Sequence, residues 1–202
     1  MSIAEKLTTI AENQQKVYEA GKEAEYNAFW DVYQKNNGVV NGTYMFGGYG
    51  WNDKVYNPKY PIILSGGGTG LFRFTEITDI KVLVDVTATP DVTHLFNWGQ
   101  NIKTIPLVKV NENNIYTDWF SYCIYLKDIR FEGVIGKNLD IHWSTQLSAD
   151  SIENIINCLS TTSTGQVLTL PTTAEATYNA KFGANAYATK VSSKSNWQIK
   201  TA

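Results

Sequence analysis

The sequence has few residues of the types that build metal and redox sites. Two cysteines, Cys123 and Cys158, and two histidines, His94 and His142, occur among 202 residues. The cysteines lack C-x-x-C spacing, and the histidines lie far apart without an H-E-x-x-H arrangement. We therefore predict no metal site and no cofactor, and we expect both cysteines to be reduced residues of the core.

Positive charge is not in excess either. The chain has 17 Lys and Arg residues against 19 Asp and Glu residues, and its formal net charge is -2. A nucleic-acid-binding face needs clustered basic side chains that neutralise phosphates. The composition therefore argues against nucleic acid as a partner.

Long apolar runs are missing as well. The opening segment Met1–Lys6 carries charges where a secretory signal needs an apolar stretch. No later segment is long and apolar enough to cross a bilayer. The expectation is a chain that is made in the cytoplasm, stays soluble and has no membrane partner.

The sequence also lacks a recognisable catalytic constellation. An enzyme needs a carboxylate pair, a triad or a metal cluster within one cleft. The acidic candidates Asp118, Asp128, Glu132 and Asp140 are scattered at positions that resemble loops. The sequence therefore predicts solvated surface acids, no catalytic residue and no enzymatic activity.

The chain does contain a long helical pattern from about Ile3 to Gln34, where Ser2 and Glu5 have the spacing of a capping box. Apolar or small residues recur in steps of four and three, which is typical of a heptad seam: Ile3, Leu7, Ile10, Val17, Gly21, Ala24 and Ala28. Two interpretations stay open, an amphipathic helix lying on its own domain and a coiled coil that trimerises or docks into a larger assembly. The residues predicted to carry oligomerisation or anchoring are Ile3, Leu7, Ile10, Val17 and Ala24.

An internal repeat follows a change in composition after Gly38. The pattern Thr-x-x-Phe occurs four times at nearly regular intervals, ending at Phe46, Phe72, Phe96 and Phe120. The last two copies continue into alternating, strand-like runs at 105–110 and 129–134. A period of roughly two dozen residues with one short strand predicts a parallel solenoid in which the four phenylalanines form a shared repeat core.

The remaining C-terminal residues predict a mixed region that closes the core. Ser148 precedes a helix whose apolar residues recur at helical spacing, Ile152, Ile155, Ile156 and Leu159. A strand at 167–170, a helix from Pro171 to about Phe182 and a strand at 197–199 follow. Solenoids need such a cap to cover their last apolar face.

Aromatic residues are abundant, with 6 Trp, 12 Tyr and 8 Phe. Five of them cluster in a segment rich in glycine and asparagine that offers few helical or strand positions to bury them: Tyr44, Tyr49, Trp51, Tyr56 and Tyr60. Exposed rings beside Asn and Asp side chains can stack on sugars, and they also suit protein interfaces. These five residues are the predicted surface-binding patch.

Several segments resemble known proteins. The Thr-x-x-Phe repeat resembles leucine-rich repeats of the bacterial surface-antigen type. Minor structural proteins of phages and prophages from gut Firmicutes are similar in the opening segment 1–30, in 131–136, in 142–160 and in the closing run 194–199. That family supplies no catalytic residues to carry over.

The resemblance implies an α+β fold with an N-terminal long helix (1–37), a leucine-rich-repeat-like parallel β solenoid (38–137) and an α/β C-terminal cap (138–202). It implies a phage virion component, a tail or head fibre, assembled in the host cytoplasm and released by lysis. Its expected partners are copies of itself as a homotrimer or other homo-oligomer, other virion proteins, and host cell-surface polysaccharide. The alternatives are a bacterial surface or secreted leucine-rich-repeat adhesion module and, more distantly, an accessory domain of a carbohydrate-active enzyme.

Overall fold

A computed structural model of the chain describes residues 2–42 and 58–202, and within them all side chains except those of residues 22, 23, 25, 26 and 42. The helices are α1 (Ile3–Lys35), α2 (Ala149–Cys158), α3 (Ala174–Phe182) and α4 (Ala186–Ser192). The strands are β1 (Val39–Gly42), β2 (Ile62–Gly67), β3 (Val84–Asp85), β4 (Thr104–Val110), β5 (Asp128–Gly133), β6 (Leu139–Asp140), β7 (Gln166–Leu170) and β8 (Trp197–Thr201). A five-stranded parallel sheet has the order β1-β2-β3-β4-β5, and a three-stranded parallel sheet has the order β6-β7-β8.

The predicted fold class, α+β with a leucine-rich-repeat-like solenoid, is wrong. The described residues form an α/β fold with two parallel sheets, and α2, α3 and α4 alternate with the strands of the second sheet. The first sheet ends with β5, whose outer edge is covered by α2 and not by a further strand. The sequence repeat indicates parallel strands at regular intervals along the chain. Such intervals occur in α/β folds as well as in solenoids, so the repeat alone does not distinguish the two.

Several individual elements begin and end close to their predicted positions. Helix α1 has the predicted capping box, in which the Glu5 amide donates to the Ser2 hydroxyl and the Glu5 carboxylate accepts from the Ser2 amide. Strands β4 and β5 each begin one residue before the predicted runs. Helix α2 begins directly after its predicted cap Ser148, whereas α4 was not predicted at all.

The register of the first sheet accounts for the period of the repeat. Val84 of β3 pairs with Val108 of β4, and Thr104 of β4 pairs with Asp128 of β5, so that partners are one period apart in each case. Side chains separated by one period therefore lie beside each other on neighbouring strands and in the connections between them. One buried hydrophobic cluster, which runs from Phe29 to Trp197, joins the end of α1 to both sheets.

Three of the four repeat phenylalanines stack on one another inside this core. The ring centroids of Phe72 and Phe96 are 5.5 Å apart, and those of Phe96 and Phe120 are also 5.5 Å apart. All three side chains are fully buried. Phe46, the first member of the predicted set, lies outside the described residues. We call Phe72, Phe96 and Phe120 the phenylalanine column.

Helix α2 covers the open edge of β5 with side chains instead of a further strand. The Ser151 hydroxyl accepts from the Ile129 amide at 3.0 Å. The Asn154 side chain accepts from the Phe131 amide at 2.6 Å and donates to the Phe131 carbonyl oxygen at 3.1 Å. These bonds satisfy backbone groups that an exposed edge would present to another chain.

Helix α1 packs on the body only through its last turns in the described part of the chain. Phe29 and Tyr33 are buried there, and the Tyr33 hydroxyl hydrogen-bonds to the backbone of Tyr60. Every described side chain from Ser2 to Gly21 is exposed. None of the helices in the described ranges combines the length and the apolar character that spanning a bilayer demands.

Candidate functional site

Four of the five residues of the predicted surface patch are outside the part of the chain that the structure describes. Tyr44, Tyr49, Trp51 and Tyr56 lie outside the described residues. Tyr60 is half-buried, and it contributes to the junction with α1 through its backbone bonds to Tyr33. The proposal that these five rings form one binding patch therefore stays a prediction.

A different set of aromatic side chains forms a continuous row of ring contacts beside the phenylalanine column. The centroid distances are 5.8 Å from Phe74 to Trp98, 4.0 Å from Trp98 to Tyr122, and 4.4 Å from Tyr122 to Trp143. Trp98 and Trp143 are each 37% exposed, and the other two rings are half-buried. We call Phe74, Trp98, Tyr122 and Trp143 the aromatic ladder.

The aromatic ladder is a product of the repeat. Phe74, Trp98 and Tyr122 each follow a phenylalanine of the column by two positions, so they recur with the same period as the column. Backbone bonds link the copies, since the Phe74 amide donates to the Asn97 carbonyl oxygen and the Trp98 amide donates to that of Ser121. Sequence reasoning missed this set, although the extended pattern Thr-x-x-Phe-x-aromatic in three successive copies was a signal that could have found it.

The ladder residues occupy an unfavourable backbone conformation. Phe74, Trp98 and Tyr122 have φ values of 55°, 57° and 61°, in the left-handed region that costs an L-residue about 1–2 kcal/mol. Stacking of one aromatic pair contributes about 0.5–1.5 kcal/mol. Stacking therefore offsets part of the cost of this backbone conformation.

Tyr122 is stacked between Trp98 and Trp143, at interplanar angles of 24° and 22°. The Arg73 guanidinium lies 4.6 Å from the Phe74 ring centroid. The His142 ring lies 5.0 Å from Trp143 at an angle of 37°. A ligand approaching Tyr122 therefore meets its ring edge, which carries the positive part of the aromatic quadrupole.

The polar groups of the ladder differ from those of the buried tryptophans. Trp197 donates its indole N–H to the Ser160 carbonyl oxygen at 2.9 Å, and Trp119 donates to Val92. By contrast, the indole N–H groups of Trp98 and Trp143 have no acceptor in the described residues, and the same holds for the Tyr122 hydroxyl proton. The ladder thus retains hydrogen-bond donors that its own fold does not use.

Two histidine–aspartate pairs lie near the ladder. His94 Nε2 lies 3.4 Å from Asp118 Oδ2, and His142 Nδ1 lies 2.6 Å from Asp140 Oδ1. The His142 ring packs against Trp143, and Asp118 accepts a hydrogen bond from Ser121, the residue before Tyr122. Asp118 and Asp140, which the sequence predicts to be surface acids, are 56% and 58% exposed and therefore place carboxylates near the ladder.

A second candidate is a cleft of about 490 Å³ between β4, β5 and α2. Its charged and amide side chains are Asp128, Arg130, Asp150, Glu153, Asn154 and Asn157. The Asn154 side chain already hydrogen-bonds to the backbone of β5, and Asp150 forms an ion pair with Lys181. The other predicted surface acid, Glu132, pairs with Lys109 at 2.9 Å, away from the residues that line this cleft.

The best-connected carboxylate of the cleft, Glu153, is held in its ionised form. Burial opposes ionisation, but hydrogen bonds from Lys190 at 2.6 Å, from Tyr178 and from Asn157 outweigh it and lower the pKa of Glu153. Burial and the same carboxylate raise the pKa of Tyr178. Glu153 is thus a poor general acid and Tyr178 a poor base, and their bonds join α2 to α3 and α4.

In residues 2–42 and 58–202, no three His, Cys, Asp or Glu side chains are grouped to hold a metal ion.

The lowered pKa of Glu153 predicts a pH-dependent contribution to stability. A carboxylate with a lowered folded-state pKa stabilises the fold above its ordinary pKa of 4.5 and loses this contribution as the pH falls through the folded-state value. Glu153→Gln should therefore lower the melting temperature at about pH 7 but change it much less at about pH 3. Thermal unfolding followed by circular dichroism measures both differences.

Glu76→Gln is the matched control for this experiment, because Glu76 is exposed and has no side-chain hydrogen bond or ion pair in the described residues. Its melting temperature should follow that of the parent at both pH values. An equal loss for Glu153→Gln at both pH values would show that ionisation of this carboxylate does not stabilise the fold.

No protein family, no curated protein and no solved structure matches this chain.

Proposed function

We propose that this chain is a non-catalytic structural protein that assembles with further copies of itself through α1 and presents its folded body outward. The observation that carries the proposal is the exposure of four large apolar side chains on the N-terminal half of α1. The exposed fractions are 79% for Ile3, 61% for Leu7, 53% for Ile10 and 74% for Val17. Such a set on one helix face favours a binding partner.

The helix has the dimensions of a connecting stalk. Its 33 residues correspond to a length of about 50 Å at 1.5 Å per residue. A helix gains most of its stability in proteins from packing an apolar face. Here packing on the described body is confined to the last turns around Phe29 and Tyr33, so the four exposed apolar side chains named above would gain stability by packing against a partner.

A second copy of the same helix is the partner that best fits the seam. In heptad lettering, Leu7 occupies position a, and Ile3 and Ile10 occupy position d. Leucine at a with isoleucine at d favours trimers and tetramers over dimers. Gln14 falls at the next a position, where a polar residue fixes the register at some cost in stability. We therefore expect a parallel bundle of three or four α1 helices.

A phage virion fibre is the proposed setting for this assembly, with other virion proteins as further partners. The resemblance of the chain to phage and prophage structural proteins supports the setting, and a self-assembling stalk with an attached body suits it. Labelling the chain in phage particles and locating the label by electron microscopy tests the setting independently of the oligomeric state.

Light scattering coupled to size-exclusion chromatography tests the assembly. The parent chain should elute as a trimer or tetramer at micromolar concentration, and Leu7→Glu combined with Ile10→Glu should elute as a monomer, because both charges would enter the apolar seam. Thr9→Glu combined with Gln15→Glu is the control, since it adds the same charge on the outer helix face. A monomeric parent, or a seam variant that still assembles, would overturn the proposal.

A further inference from the structure

We infer that the aromatic ladder is a binding surface for an uncharged, extended polysaccharide. This inference goes beyond the assembly through α1 and does not depend on it. The proposed contact residues are Trp98, Tyr122 and Trp143, together with the nearby carboxylates of Asp118 and Asp140.

The first argument concerns the backbone conformation at three of the ladder positions. Glycine adopts a positive φ without strain, yet the chain has Phe74, Trp98 and Tyr122 there, with φ values between 55° and 61°. The neighbouring phenylalanine column already supplies the buried contacts between the copies. An aromatic residue kept in a strained conformation and partly exposed is a typical feature of a binding site.

The shape of the ladder favours a chain-like ligand. Its four rings continue in one direction without a gap, at centroid distances of 5.8, 4.0 and 4.4 Å. At the usual spacing of parallel strands the ladder is a strip about 14 Å long. A strip of this kind contacts several units of a polymer in succession, whereas a compact small molecule would contact one or two rings.

The chemistry of the strip favours oxygen-rich ligands. Ring edges are electropositive, and the indole N–H groups of Trp98 and Trp143 have no acceptor in the part of the chain that the structure describes. Asp118 and Asp140 offer exposed acceptor oxygens near the same strip. A sugar hydroxyl both donates and accepts, so successive sugar units can bond to an aromatic donor and to a neighbouring carboxylate.

The charge of the strip favours a neutral ligand. The exposed carboxylates of Asp118 and Asp140 lie near it, and the Arg73 guanidinium packs on the Phe74 ring. The two histidines, His94 and His142, are each paired with one of these acids. A polyanion would be repelled by the exposed carboxylates, and an uncharged polymer would not.

The experiment measures retention of the full-length chain on three immobilised neutral polysaccharides, a β-glucan, a mannan and dextran, with heparin as a polyanionic comparison. We expect retention on at least one neutral polymer, none on heparin, and little change between low and high salt. Trp98→Ala combined with Tyr122→Ala should weaken retention at least about tenfold, since it removes the centre of the strip.

Tyr125→Ala is the matched control, because Tyr125 is 45% exposed and is not part of the ladder. It should bind as the parent does. Trp98→Phe combined with Tyr122→Phe keeps the rings and removes both donors, and it should bind more weakly than the parent. Trp143→Ala provides a second test at the end of the ladder in case the double alanine variant does not fold.

Light scattering on each variant separates this inference from the assembly through α1, because ladder variants should keep the oligomeric state of the parent. The inference is overturned if the parent is retained on none of the three neutral polymers. It is equally overturned if the alanine variants, shown to be folded by circular dichroism, are retained as strongly as the parent. Preferential retention on heparin would contradict the choice of a neutral ligand.

Discussion

Phe96→Ala is expected to reduce the free energy of unfolding by about 3–5 kcal/mol. Phe96 is the central ring of the phenylalanine column, with Phe72 and Phe120 each 5.5 Å away and Trp119 packed against its edge. The side chain is fully buried, so its removal leaves a cavity and separates two stacked pairs. Urea unfolding followed by tryptophan fluorescence and circular dichroism measures the loss.

Phe182→Ala is the matched control, because Phe182 is 43% exposed at the end of α3. Its substitution should cost less than about 1 kcal/mol. If Phe96→Ala cost no more than the control, the phenylalanine column would not be a principal stabilising element of the fold.

Asn114→Ala is expected to cost about 2–4 kcal/mol although it removes no hydrophobic contact. The Asn114 side chain is fully buried. Its amide nitrogen donates to the carbonyl oxygens of Val86 at 3.1 Å and Thr89 at 3.2 Å, and its oxygen accepts from the Asn111 amide at 2.6 Å. Alanine would leave the Thr89 carbonyl oxygen and the Asn111 amide without their partner, whereas the Val86 carbonyl oxygen keeps its bond from the Thr89 amide. An unpaired buried polar group costs about 1–3 kcal/mol.

Asn113→Ala tests the specificity of this effect, since Asn113 is the exposed neighbour of Asn114. Its free energy of unfolding should stay within about 0.5 kcal/mol of the parent. Amide hydrogen exchange at Asn111 supplies a local measurement, and it should accelerate in Asn114→Ala alone. Similar stabilities and exchange rates in both variants would contradict the role of Asn114 in joining neighbouring connections of the first sheet.

Local signals were sufficient to predict several elements. The capping box at Ser2 and Glu5 and the periodicity that follows it predicted α1 to within about one residue. The Ser148 cap and the helical spacing of Ile152 and Ile155 located α2 in the same way. These signals operate between close neighbours along the chain, so they do not depend on what the element packs against.

The arrangement of the strands was not predictable from the same signals. The period of the repeat correctly spaced β4 and β5, but it did not indicate that a second sheet begins at β6. The break is made by α2, whose Ser151 and Asn154 side chains bond to the backbone groups at the edge of β5. These bonds join residues that are distant in the sequence.

The candidate binding surface shows the same division. The sequence pointed to aromatic residues as the binding chemistry and predicted a patch around Trp51, most of which lies outside the described residues. The ladder of Trp98, Tyr122 and Trp143 depends on the tertiary structure, which places the ring centroids of neighbouring members within 4.4 Å of each other. These contacts join residues 24 and 21 positions apart, so no local pattern contains them.

The sequence by itself determined the long capped helix, the heptad seam on it and the period at which strands and phenylalanines recur, because each of these depends on neighbours along the chain. The tertiary structure decided that two parallel sheets form instead of one, that α2 covers the edge of β5, and that four aromatic rings meet at the surface. These outcomes depend on hydrogen bonds and packing between distant residues, whose energies no local pattern contains.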